Sequence, residues 1–294
     1  MKRDSLATAL LCTRIGYNDK YQPISTDEWK QIILSLKING YTPKIFLEAD
    51  KTEYVYKLGI NESLADKIEL RLKKADLISE KITMLEASNI FIMTDEDIEF
   101  PILLKKVCKT NPPLLYYAGN PLIANTHACA ILGSREINDY DIKAALALAE
   151  RAISANQTII TGGGSGIDYE VERFAYQNGG KVIQFCGGGL SKKVKNEFYK
   201  KQLDNGSLLI LSEVTPITDF NLKFAASRNK YIYACAENAF IIRATMGKST
   251  FEGAKEAIDN DYSNVFCWDK NEYQGNMALI EKGAYPFKVK LKLV

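Results

Sequence analysis

Two patterns of apolar positions divide the chain. Up to about residue 110, apolar side chains recur at helical spacing. Beyond that point, short apolar runs end in glycines and alternate with amphipathic stretches. In DEWKQIILSLKI the positions Trp29, Ile32, Ile33 and Leu36 share one helical face. Thr26 is expected to cap this helix, Asp27 and Glu28 to favour its dipole, and Asn39-Gly40 to end it. ESLADKIELRLKKADLISEKITMLEASN predicts one or two further helices, with Leu64, Ile68 and Leu72 on one face. Pro112, Pro113 and Pro121 in NPPLLYYAGNP forbid a continuous helix there, so a domain boundary is expected near 110–120.

Past the boundary, strands are expected at ACAILG (128–133), TIITGG (158–163), KVIQFC (181–186), SLLILSE (207–213), AFIIRA (239–244) and NVFCWD (264–269). Helical stretches separate them, among them 141–156 and 168–180. The strands show little period-two alternation, the signature of a sheet covered on both faces. The expected fold is α/β: a doubly wound, mostly parallel Rossmann-like sheet over 111–294, preceded by a small helical domain over 1–110.

Composition narrows the function classes only a little. Apolar residues make up 46% and charged residues 25% of 294 residues, which suits a soluble chain that needs no staple to hold a core. Lys and Arg number 38 against 36 Asp and Glu, so bulk charge neither implies nor excludes nucleic acid; a local patch would suffice. The six cysteines form no C-x-x-C and the single histidine is His127, which removes the usual zinc spacings and restricts any histidine-based triad to that residue. Cysteines within apolar runs suit reduced thiols in a cytoplasmic setting. The apolar stretch near the start is broken by Arg14 and is too short to span a bilayer; a signal peptide is the lesser reading, since no small-x-small cleavage site is evident.

The candidate chemistry lies where an open α/β sheet binds ligands, outside the carboxyl ends of its strands. Those ends carry Gly133-Ser134-Arg135, Gly162-Gly163-Gly164-Ser165-Gly166, Gly187-Gly188-Gly189, Ser212-Glu213 and Gly247-Lys248-Ser249-Thr250. Glycine lets the main chain approach an anion, a helix start adds positive potential, and Arg135 could fork onto a phosphate. Asp168 stands at a helix start, as cap or ligand group. Arg228, Asn229 and Lys230 offer cationic and amide donors before an apolar helix, and Lys192 and Lys193 follow the third glycine loop. Taken alone, each of these clusters is as well read as a tight turn or a solvated face. The dinucleotide fingerprint fails, because Gly162-x-Gly164 reaches Ile167; the phosphate loop of nucleotide hydrolases fails, because its first glycine falls on Ile242; and no nucleophile elbow surrounds Ser165.

The order of these motifs resembles the DprA/Smf DNA-processing family. DIEFPILLKKV followed by NPPLLYYAGNP is similar to the family's lead-in. Ala130-Ile131-Leu132-Gly133-Ser134-Arg135, Gly166-Ile167-Asp168, Leu211-Ser212-Glu213, Phe224 with Arg228-Asn229, and Gly247-Lys248-Ser249-Thr250 follow in the family's order, over roughly residues 60–270. Departures are Pro216, two residues late after the serine–glutamate pair, the loosened Phe224-Ala225-Ala226, and a missing tyrosine–proline after the third glycine loop. A small C-terminal winged-helix-like domain of many members is expected to be absent. The resemblance implies a cytoplasmic homodimer that binds single-stranded DNA through a basic pocket, helps load a RecA-type recombinase, and needs neither cofactor nor covalent chemistry. Two alternatives stay open on the same fold: a sensor that binds a nucleotide messenger, and a phosphoribohydrolase-like enzyme, which ITGGGSGID and GGKVIQFCGGG resemble in part.

Overall fold

The structure, a computed structural model, describes residues 1–289. The N-terminal block is helical: α1 (Arg3–Cys12), α2 (Thr26–Asn39), α3 (Lys51–Leu58), α4 (Glu62–Leu72) and α5 (Ala75–Glu86), with a 3-10 turn at Pro43–Leu47. The cap of α2 is Ser25, not Thr26. Its hydroxyl accepts from the Glu28 N–H at 3.3 Å, while the Glu28 carboxylate accepts from the Ser25 N–H at 2.7 Å. That reciprocal pair satisfies two otherwise free donors at once, which a lone threonine would not. The apolar start of the chain is α1, whose Ala7, Ala9 and Leu11 are fully buried.

Next come β1 (Phe91–Thr94), α6 (Ile102–Val107) and β2 (Leu114–Gly119). The expected alternation then unfolds as β3 (Ala128–Leu132), α7 (Asp139–Ser154), β4 (Thr158–Thr161), α8 (Ile167–Gln177), β5 (Val182–Phe185), α9 (Glu197–Asp204) and β6 (Leu208–Ser212). It continues through α10 (Leu222–Ser227), α11 (Asn229–Ala234), β7 (Asn238–Ile241), α12 (Ser249–Asp259), β8 (Asn264–Trp268), α13 (Gln274–Lys282) and β9 (Tyr285–Phe287). The strands form one sheet in the order β1-β2-β6-β5-β4-β3-β7-β8-β9. Only β1 with β2 and β2 with β6 pair antiparallel; all other pairings are parallel. The fold is therefore the doubly wound, mostly parallel α/β sheet with helices before it.

β3 is the pivot. Ala130 pairs with Ile160 of β4 on one side and with Ala239 of β7 on the other. The chain winds from β3 outward through β4, β5 and β6, then returns to β7, so the carboxyl-edge loops part between β3 and β7. Every residue of β3 is buried, because alternate side chains enter different cores. Cys129 and Ile131 join the core that also holds the N-terminal helices; Ala130 and Leu132 join the core on the opposite face.

Three strands escaped the sequence pattern. β1 has four residues, β2 lies between prolines, and β9 has three residues including Pro286. β1 places part of the segment before residue 111 in the sheet. The division into 1–110 and 111–294 is kept as a proposal about which parts are separately stable.

The N-terminal block is held by an unusual cation. Arg71 is 0% exposed, and no carboxylate pairs with it among the described residues. Its guanidinium donates to the carbonyls of Leu10 (2.9 Å), Thr13 (2.5 Å), Ile15 (2.8 Å) and Tyr21 (3.4 Å). Burial pulls its pKa down to about 10. The Thr13 hydroxyl in turn bonds the Tyr116 hydroxyl of β2 at 2.5 Å, joining the helices to the sheet.

Arg71→Met should cost about 3 kcal/mol or more, since each buried carbonyl left unpaired costs about 1–3 kcal/mol. Limited proteolysis of this variant should cut within the N-terminal helices first and spare 111–294. Simultaneous cleavage throughout would sink the proposed division.

Candidate functional site at the carboxyl edge of the sheet

Three loops meet at the β3 end, and the sequence explains why they fit. A Cβ at Gly133 would overlap Ile167, the first residue of α8. Gly166 has φ +79°, and a Cβ there would stand 2.7 Å from the Arg135 Cα. The first and second glycine loops therefore lie against each other, with the Ile167 N–H directed at the Ser134 carbonyl (3.4 Å). The fifth loop joins them: the Thr250 hydroxyl donates to the Gly133 carbonyl at 3.2 Å, and the Ser134 N–H donates to the Arg243 carbonyl at 2.9 Å. Gly133, Ser134, Arg135, Ser165, Gly166, Gly247, Lys248 and Ser249 are thus gathered around the switch point between β3 and β7.

This edge is rich in donors. α8 follows Gly166 and α12 follows Lys248, and neither helix start has a side-chain cap. An uncapped helix start presents free N–H groups and partial positive charge. Arg135 and Lys248 are exposed and make no ion pair among the described residues. Gly247, at φ +71°, has open space around its Cα, so a ligand can approach its backbone.

The second loop is shaped from within. Asp168 is 8% exposed, and its Oδ2 accepts from the N–H groups of Gly162 (3.1 Å) and Gly164 (3.2 Å). Burial raises its pKa against the opposing pull of Arg228. Arg228 donates through Nη2 to the Gly162 carbonyl (2.7 Å) and through Nη1 to Asn229 Oδ1 (2.9 Å). Its Nε is buried without a partner, and burial lowers its pKa while Asp168 raises it. Asn229 passes the link on, donating to the Ser249 carbonyl at 3.1 Å. Glu213 accepts from the hydroxyls of Ser227 and Tyr231, each at 2.6 Å. Gly162, Gly164, Asp168, Arg228 and Asn229 therefore bind one another, while Gly163 bonds the Thr161 hydroxyl and Glu213 is held apart from them by Ser227 and Tyr231.

Other expected phosphate contacts stand apart from this cradle. Gly187 and Gly188 are buried beneath the segment that follows β6: a Cβ at Gly187 would meet Ala225 at 2.8 Å, and one at Gly188 would meet Phe220 at 2.9 Å. These glycines are closely packed. Lys192 is exposed and pairs with Asp219 at 2.5 Å. Lys193 turns inward to Gln184 Oε1 and lies 4.5 Å from the centre of the Tyr199 ring. Lys230 bonds the Thr110 hydroxyl at 3.0 Å and covers the Tyr231 ring, away from the cradle.

Sequence reasoning missed the layer beneath. Glu172 is 1% exposed and accepts from the Thr161 hydroxyl and, at 2.9 Å on each oxygen, from the Gln184 amide. Burial pushes its pKa up to about 6. The Gln184 side chain also fills the space a Cβ on Gly163 would need. A signal was present: Glu172 falls on the apolar stripe of α8 with Ile167, Val171 and Ala175, and Gln184 interrupts an apolar strand.

The family model described as DNA recombination-mediator protein A matches residues 91–293. The DNA processing protein DprA of Streptococcus pneumoniae is 28% identical over 151 residues, 50% of this chain and 52% of that protein. The chain's match thus spans about half that relative's length. Among solved structures, DprA from Streptococcus pneumoniae superposes with a TM-score of 0.65 at 22% identity, covering 91% of this chain and 96% of that one. DNA processing protein A from Helicobacter pylori, solved for its single-stranded DNA binding mode, gives 0.57 at 23% identity, covering 68% and 92%. At these identities the two structures establish the fold.

Two variants test the internal ties. Arg228→Ala leaves the Gly162 carbonyl without its donor and should lower stability by about 1–3 kcal/mol, read from denaturant midpoints. Unchanged midpoints would show that Arg228 does not hold the loop. Because the folded pKa of Glu172 is raised from the usual 4.5 to about 6, its favourable contribution is complete below 4.5 and is lost as pH rises through about 6. Glu172→Gln should abolish this loss, roughly 2 kcal/mol between the two limits. Equal pH dependence of wild type and variant would overturn the assignment.

Proposed function

We propose that this chain, which belongs to the DNA recombination-mediator protein A family, binds single-stranded DNA along the carboxyl edge of its sheet. Arg135 and Lys248 take phosphates on either side of the switch point. The free N–H groups at the starts of α8 and α12 and the open backbone at Gly247 accept the oxygens between them. Arg is suited to the first role because its planar fork makes paired hydrogen bonds to phosphate, while Lys contributes a point charge. Backbone and phosphate contacts carry no base information, so recognition is largely sequence-independent.

The observation that carries this reading is the meeting of Gly133, Gly166 and Thr250, which sets an unpaired arginine between two uncapped helix starts. Family membership and the Helicobacter pylori relative support DNA over a free nucleotide. The acidic residues of the edge favour binding over turnover: Asp168, Glu172 and Glu213 each have protein donors on their oxygens. On this reading the chain catalyses no reaction, presents the bound strand to a RecA-type recombinase, and acts as a homodimer in the cytoplasm. Among the described residues no helix is long and apolar enough to cross a membrane.

Fluorescence anisotropy with a labelled thymidine oligomer tests the binding claim. Affinity should fall with salt at a log–log slope of roughly −0.7 per phosphate contact. Arg135→Ala should weaken binding by about 1.5–3 kcal/mol and make the slope shallower by about 0.7, with melting unchanged because the side chain is exposed. Salt-independent affinity, or wild-type affinity in the variant, would refute the cradle.

A further inference from the structure

A second cavity of about 600 Å³ lies between the N-terminal block and the sheet, outside the cradle. We propose that it seats the next nucleotides of the same strand, an inference that rests on the cradle reading above. One wall carries Arg14 and Tyr17; the other carries Lys223 and Phe224, with Ser227 at the end.

Ser227 lines the groove, and Arg228, its neighbour in the chain, donates to the carbonyl of Gly162 in the second glycine loop. Both sites open on the carboxyl edge of the sheet: the cradle at β3 and the groove beside Glu213 and Val214 after β6, three strands away, or roughly 14 Å. Glu213 marks the junction. Its oxygens are held by the hydroxyls of Ser227 and Tyr231, which fixes this carboxylate in place where it lines the groove.

Arg14 and Lys223 are exposed and make no ion pair among the described residues. Tyr17 is 49% exposed, with the Arg14 guanidinium 5.9 Å from its ring centre, and Phe224 is half-buried. Cations for phosphates interleaved with aromatic faces for bases are what an unpaired strand requires. The volume lies within the range of about 300–1,000 Å³ that encloses a drug-sized ligand, which accommodates one or two nucleotides and leaves no room for a duplex.

The test compares thymidine oligomers of about four and about twelve nucleotides, the first filling only the cradle and the second reaching the groove. Wild type should bind the longer oligomer more tightly. Arg14→Ala combined with Lys223→Gln should remove most of that gain, and Tyr17→Ser should weaken the longer oligomer by about tenfold while sparing the shorter. All three side chains are exposed, and thermal melting in the wild-type range confirms that the variants fold. Equal affinity for both lengths in wild type, or wild-type affinity of the variants for the longer oligomer, overturns the groove and leaves the cradle standing. Failure of both lengths to bind overturns the cradle and the groove together.

Discussion

The candidate site depends on one glycine loop held from within by two side chains of opposite charge. Asp168 takes two N–H groups of the second glycine loop onto a single oxygen, and Arg228 takes a carbonyl of the same loop. These hydrogen bonds fix the path of Gly162 to Gly164, which could otherwise take many conformations. Once that path is fixed, Gly166 can rest on the first loop, Ile167 can start α8 beneath Gly133, and the uncapped helix start points outward. Asn229 carries the constraint to the start of α12. The outward-facing donors are thus set by inward-facing charges.

A similar logic attaches the N-terminal helices. Arg71 has only carbonyls to serve, four of them on the segment from Leu10 to Tyr21. The same segment supplies Thr13 to Tyr116 and brings Arg14 and Tyr17 to the groove wall. A buried cation far from the cradle thereby determines how one wall of the neighbouring cavity stands.

How much of this could be read from residues alone follows from range. The six buried strands of the winding announce themselves because an apolar run closed by glycine is a local pattern. So is the gathering of glycine loops at their carboxyl ends, once the strands are taken as parallel. The antiparallel additions are different. LLYYAG is a strand because distant residues 209–212 lie beside it, and nothing within the segment declares that partner. The split among the candidate basic residues is likewise tertiary. Arg135 and Arg228 look equivalent in sequence, yet one is exposed and the other tied to Gly162; Lys193 has turned under the loop because a buried glutamine and a tyrosine ring lie there. Gly187 and Gly188 have the composition of an anion loop and the surroundings of a packing joint. Glycine reports that a backbone is closely approached, and the sequence does not say by what.

The position of β2 also sets the order in which this chain can become complete. Its residues 116–119 pair with residues 209–212, so most of the doubly wound unit must emerge before that edge of β2 has a partner. β1 rests only on β2 among the strands, and the N-terminal helices share their core with the sheet. The N-terminal helices are therefore among the last parts of the chain to be fully packed. The cost of closing so long a loop falls on the final docking step, after the parallel core around β3 has assembled. During that interval the apolar face of the helical block must wait in water.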